Sequence, residues 1–335
     1  MKTIRGMFIA SRITAFLIVL AVIVLFAKNV VVSSQWKKSP KAPGVIIEVE
    51  ERRVYTRSTG AGRPAVVILH DILSYSPEWW EIQDRLSALT RVVTYDRAGY
   101  GWSEARPHAG TGRRIANELE LLLQRIELTG PCVLVGHGIG GLYALQYAFA
   151  HPRLVHAIVL VDPITIFQRR FREVVSDTVF RNLIDKTSYL QSLRVASHSG
   201  FIRLLNVIPV TDVSGKARDI LKNHSALASS YDAMHDEYSL NLEESIKQIE
   251  LDKKVLSVPV ILIRPDSERE IDEYQSFGLS LDEASRIDAV KTGAFKDTIM
   301  FSKNGRILAS GKGGHDLHRT DPDLIVKTVS SLVRR

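Results

Sequence analysis

The sequence is poor in cysteine. Its one thiol, Cys132, excludes an internal disulfide. It lies in an apolar run, which marks a buried, inert group and leaves the redox compartment open. No internal repeat or low-complexity tract is present. None of the ten histidines falls in a ligand spacing such as H-E-x-x-H, so no metal is expected. The most informative lack is of acid at one end. Residues 1–41 hold Lys2, Arg5, Arg12, Lys28, Lys37, Lys38 and Lys41 and no Asp or Glu. The net charge of +7 belongs to that segment, because the other basic residues are balanced by 37 acidic ones. No nucleic-acid partner is implied. Apolar and charged contents of 45% and 24% are those of an ordinary globular chain.

What stands in the acid-free segment is the run Ile13–Ala27, ITAFLIVLAVIVLFA. It makes about 22 Å of helix, short of a bilayer core of about 30 Å. Extended through Val32, with Lys28 reaching to the interface, it becomes long enough to span. We read residues 1–12 as a basic N-terminal segment, 13–32 as a single-pass membrane helix and 33–44 as a polar linker. The lipid bilayer is the partner this implies. Val32-Ser33-Ser34 before Gln35 leaves a cleaved signal peptide as the competing reading. Basic residues on both flanks specify orientation poorly, and the signal-like placement favours a domain outside the cytoplasm.

Beyond residue 44, strand and helix patterns alternate. Val45–Glu50 and Arg53–Thr56 read as a strand pair across Glu51-Arg52. Ala65–His70, Arg91–Tyr95, Cys132–Val135 and Val155–Val161 read as strands. Helical patterns follow Ser76-Pro77, span Arg113–Leu128 and cover Gly140–Ala150. Residues 164–254 then read as helices alone. Val258–Ile263 and Arg306–Ser310 resume the sheet, and Thr320, with Asp321-Pro322-Asp323, caps a last helix through Val333. The pattern predicts an α/β protein: a doubly wound, mostly parallel sheet formed by residues 45–163 and 255–335, with a helical insertion.

The motif that decides function is VLVGHGIGGLYA, Val133–Ala144. Gly136-x-Gly138-x-x-Gly141 between strand and helix matches a dinucleotide fingerprint, and Asp162 stands where an acid meets ribose hydroxyls. That reading gives a nucleotide-binding oxidoreductase. Two distant stretches favour another. VVILHDILSYSPEWW is followed by Asp96-Arg97-Ala98-Gly99-Tyr100-Gly101-Trp102-Ser103. Near the C-terminus stand Gly314-His315 and Asp321-Pro322-Asp323. Together these resemble the α/β-hydrolase fold family of serine esterases and lipases, over residues 45–335 with 164–254 as the cap. In that family the turn reads Gly-His-Ser-x-Gly-Gly, a nucleophile elbow. Three motifs in the right order outweigh one six-residue pattern, and no nucleotide or other cofactor is expected.

The resemblance implies a serine nucleophile, a histidine base, an orienting acid and two backbone N–H groups for the oxyanion. Gly138 occupies the nucleophile position, beside His137 of the motif. His315 is the implied histidine. Asp266, after the strand Val258–Ile263, is the first choice for the acid, with Glu268 in reserve and Asp162 a further candidate. Ile72 and Ile139 are the implied oxyanion donors. A second departure is Asp71, where the family has glycine. A carboxylate beside the hole would repel the charge that the hole exists to stabilise. Glycine also relieves the strain of a serine at positive φ, of order 1–3 kcal/mol. The resulting expectation is a membrane-anchored, hydrolytically impaired family member binding a small or lipid-like ligand, or a protein, in the old pocket. The alternative is an active ester hydrolase, in which Gly138 replaces a natural serine or His315 and Asp71 promote attack by water.

Overall fold

A computed structural model describes residues 2–38, 43–106, 110–205, 213 and 215–334. Among the described residues, eight strands form one sheet in the order β1-β2-β4-β3-β5-β6-β7-β8. They are β1 Val45–Val49, β2 Arg52–Thr59, β3 Ala65–Leu69, β4 Val92–Tyr95, β5 Cys132–His137, β6 Val155–Val161, β7 Val260–Arg264 and β8 Gly305–Ala309. β1 and β2, and β2 and β4, pair antiparallel, and every other pair is parallel. The parallel strands are continuous Val/Ile/Leu runs because both of their faces are covered.

Alternate residues of those strands enter two cores. Val67, Leu69, Leu134, Ile158 and Leu160 share one cluster with helices α3 (Gly112–Arg125) and α4 (Ile139–Ala150). Val66, Ile68, Val133, Val135 and Val159 pack on the other face against Trp79, Ile82 and Leu86. The last two belong to helix α2 (Trp80–Ser87). The strand order reverses where β3 lies beside β5, so the loops leaving these neighbours diverge and open a crevice at the carboxyl edge. Asp71 follows β3 and Gly138 follows β5.

Between β6 and β7 the described residues are largely helical. The principal helices are α5 (Thr187–Ser199), α6 (Phe201–Leu205), α7 (Gly215–His224), α8 (Ala228–His235) and α9 (Leu242–Asp252). A buried ion pair ties this insertion to the sheet. Arg97 donates from Nε and Nη2 to Glu237 at 3.0 and 2.9 Å, and Tyr100 donates to the same carboxylate at 2.9 Å. Arg97 Nη1 also donates to the His70 carbonyl at 2.6 Å, so one guanidinium holds both the insertion and the loop that bears Asp71.

Four details differ from the sequence reading. Val49 pairs with Arg52, so the first hairpin turns at Glu50-Glu51, with φ of +47° and +59°. Helix α1 runs from Lys2 to Lys38, so the first half of the expected linker is helical, and residues 39–42 lie outside the described chain. Asp321, one residue after Thr320, caps the final helix Pro322–Val333 by accepting from Leu324 N. Helices α10 (Ser267–Ser276) and α11 (Leu281–Ile299) fill a stretch to which periodicity assigned nothing.

Removing one partner of a buried ion pair leaves the other charge uncompensated, at a cost of about 3–5 kcal/mol, whereas exposed pairs contribute about 0–1 kcal/mol. Glu237→Ala should therefore lower stability in urea unfolding far more than Asp252→Ala, whose partner Arg113 is 47% exposed. Equal losses would show that Arg97–Glu237 does not hold the insertion.

Candidate active site

Gly138 sits between β5 and α4 at φ +53°, ψ −120°. Hydrogen bonds fix the turn from outside: Gly138 N donates to Val161 O at 3.2 Å, and Gly138 O accepts from Ile164 N at 2.9 Å. Gly140 comes so near β3 that a Cβ there would overlap the Leu69 carbonyl. The result is a tight strand-to-helix turn at positive φ, with no side chain at its apex.

The space is filled from the neighbouring loop. Asp71, 5% exposed, accepts a hydrogen bond at Oδ1 from Ile139 N at 2.7 Å. A Cβ built on Gly138 would overlap the Asp71 carboxylate. Asp71 can lie there only because residue 138 has no side chain. The N-terminus of α4 favours an anion at this place.

His315 follows β8 and lies between two acids. Its Nε2 is 3.0 Å from Asp71 Oδ2, and its Nδ1 is 2.6 Å from Asp162 Oδ2. Asp162 ends β6 with φ +36°, a left-handed conformation that strains a non-glycine residue. Lys291 of α11 reaches both Asp162 oxygens, at 2.8 and 3.1 Å, and also binds Glu270. Glu270 in turn meets Arg264 at 3.3 Å, and Arg264 meets Asp288 at 2.5 Å.

These contacts set the ionisation. Burial pulls the His315 pKa down, but the hydrogen bonds and charges of Asp162 and Asp71 outweigh it and raise it to about 10. Burial would raise the Asp71 carboxyl, yet the hydrogen bond and charge of His315 hold it well below its usual range. Asp162 is held low against burial in the same way, by Lys291 and His315. His315 is thus an imidazolium donating from both nitrogens at neutral pH.

The structure joins Gly138, Asp71, Ile139, His315 and Asp162. It does not bring Asp266 to His315: Asp266 caps α10 by accepting from Glu268 N and Arg269 N. The first choice for the acid is corrected to Asp162, because the end of β6 lies nearer the elbow than the end of β7 does. Glu268 is exposed on α10. Ile72 is buried beside Asp71. His137 is buried behind His315, with Nε2 3.0 Å from its carbonyl oxygen. Burial and then the charges of His315 and His318 lower the His137 pKa to about 4, so it stays neutral.

Lys291 and Glu270 were missed. Lys291 left one signal: it falls on the stripe of Ala284, Ile287, Ala294 and Phe295, a cation at helical spacing on a buried face. A cavity of about 340 Å³ opens beside His315, with Phe171, Ile184, Tyr238, Tyr274 and Lys291 in its wall.

A model of the alpha/beta hydrolase fold matches residues 64–266. The chain belongs to the alpha/beta hydrolase family. RutD of Pantoea ananatis, whose name places it among carbamate hydrolases, is 27% identical over 268 residues, covering 77% of this chain and 84% of that one. An AB hydrolase superfamily protein of Gibberella zeae is 23% identical over 286 residues, covering 80% and 86%. Among solved structures, epoxide hydrolase CorEH superposes with a TM-score of 0.58 at 15% identity, covering 86% of this chain and 97% of that one. At that identity the likeness concerns the fold alone. The Gly136–Gly141 turn thus lies within the part of the chain that the hydrolase-fold model matches.

The charge cluster fixes a pH dependence for this family member. The folded pKa of His315, about 10, lies above its unfolded value of about 6.5. Its stabilisation is complete below pH 6.5 and is lost as pH rises through about 10. Asp71 and Asp162 have depressed folded pKa values. Their contribution is present above about pH 4 and is lost as pH falls further. Asp71→Asn should lower the His315 pKa by about a unit or more in an NMR titration. The stability gap between wild type and variant should then narrow on the alkaline side. A gap unchanged from about pH 5 to 10.5 would refute the ion pair.

Proposed function

We propose that this chain is a membrane-anchored alpha/beta-hydrolase-family protein that does not perform serine-type hydrolysis and binds a small or lipid-like ligand in the cavity beside His315. The observation that carries this reading is the Asp71 carboxylate in the place of the elbow side chain. It bears on each part of acyl transfer. The attacking hydroxyl is absent at Gly138. The Ile139 N–H, a hole donor by position, is engaged by a negative charge. His315, held as an imidazolium, cannot accept a proton from a nucleophile or from water.

Glycine at 138 and aspartate at 71 fit one another, and each would be awkward without the other. That mutual fit supports a native pair over a single serine-to-glycine change. The cavity wall mixes aromatic and aliphatic side chains with charged ones, among them Lys186, Glu273 and Lys291, a composition suited to an amphipathic small molecule.

The anchor is supported by helix α1. Ile13, Phe16, Leu17, Val19, Ile23 and Phe26 are all exposed, at 48–66%. Among the described residues these side chains are largely uncovered by protein, and a bilayer would cover them.

Two measurements test the proposal. Wild type should not react with a fluorophosphonate probe, and Gly138→Ser alone should label weakly or destabilise the fold, since the new Cβ meets Asp71. Gly138→Ser with Asp71→Gly should label more strongly, by up to about 10²–10³-fold, the usual worth of an oxyanion contribution. Robust ester turnover by wild type, abolished by His315→Ala, would overturn the reading. In the second measurement, full-length protein should remain with membranes after alkaline carbonate washing. Its release, or a mature N-terminus near Gln35, would defeat the anchor.

A further inference from the structure

Helix α1 does not leave the domain as a free tether. Asn29, 4% exposed, donates from Nδ2 to the Ser197 carbonyl at 2.8 Å and accepts from Arg203 Nε at 3.0 Å. Arg203 also donates to Ser33 Oγ at 3.3 Å. Gly200, at φ +82° between α5 and α6, lies so close to α1 that a Cβ would stand 3.1 Å from the Leu25 carbonyl oxygen. Further along, Trp36 stacks on Trp102 with ring centroids 5.6 Å apart.

These contacts begin inside the apolar run. The part of that run before them, Ile13–Val24, is only about 18 Å long, against a bilayer core of about 30 Å. Extending the span toward the N-terminus meets Arg12, a charge that is costly in hydrocarbon. Extending it toward the C-terminus uses the residues that touch Gly200, Ser197 and Arg203. A spanning α1 therefore draws the α5–α6 corner to the membrane surface. The exposed side chains there agree. Phe201 and Leu204, 40% and 56% exposed, bracket Arg203, and Val30 and Val31 are exposed on α1.

We infer that the α5–α6 corner is itself a membrane-contacting surface, with Phe201 and Leu204 entering the headgroup layer beside α1. The domain is then held on the bilayer in one orientation instead of swinging on a linker. This rests on the anchor reading above. Apolar side chains at such a depth add to the attachment in proportion to the area they bury.

Full-length protein in phosphatidylcholine vesicles tests it. Val19→Cys, Leu204→Cys and Leu251→Cys, each at an exposed position, would be labelled separately with the fluorophore NBD. The native Cys132 does not compete, since burial pushes its thiol pKa up to about 12. Lipids spin-labelled near the headgroup and along the chain should quench NBD at 19 and 204 at least twofold more than at 251. Quenching at 19 but not at 204 overturns the surface and leaves the anchor standing. Quenching at neither overturns the anchor itself. Blue-shifted NBD at 204 that no lipid quencher reaches means that a second copy covers the corner, and also overturns the inference.

Discussion

The Asp71 carboxylate, lodged between the Ile139 N–H and the His315 ring, is the contact on which the site depends. It demands glycine at 138, because any Cβ would overlap it. It also holds His315 protonated. From there the charges alternate outward: Asp71, His315, Asp162, Lys291, Glu270, Arg264, Asp288. All of these groups except the half-exposed His315 are largely buried, and a buried ion needs opposite neighbours to offset its lost hydration. The series runs from the middle of the sheet to α11 near its edge, so α10 and α11 are electrostatic supports of the site as well as covering helices.

The scaffold explains why these groups can meet. The loops after β3, β5, β6 and β8 all leave the carboxyl edge, and the crevice opens where the strand order reverses. Asp71 comes from one side of that reversal and Gly138 from the other. Arg97 fixes the Asp71 loop through the His70 carbonyl and reaches Glu237 of the helical insertion with the same guanidinium. The insertion, the loop and the elbow are thus mechanically linked. The motif Asp96–Ser103 serves this linkage: buried Asp96 accepts from Ser76 N and Trp102 N, and Ser103 Oγ donates to the Asp96 carbonyl.

The parallel sheet was legible in the sequence, because strands covered on both faces must be unbroken Val/Ile/Leu runs and a helix such as α3 that covers them carries an apolar stripe. Three separated motifs carried the family, and the glycine at 138 and the apolar run near the N-terminus were equally legible. Local rules did less well at boundaries. Two glutamates took the hairpin turn, and α10 and α11 passed unread because their apolar faces are short and interrupted by charge. Which acid faces His315, and where the Asp71 carboxylate goes, depended on the assembled fold. Asp162 and His315 are 153 residues apart, and Asp71 and His315 are 244 apart. No local periodicity carries such a pairing, whereas strand order sets it directly. The role of Asp71 was beyond sequence for a further reason: a carboxylate that would repel an oxyanion from outside the hole can instead enter it, once a glycine leaves the space and an imidazolium supplies the opposite charge.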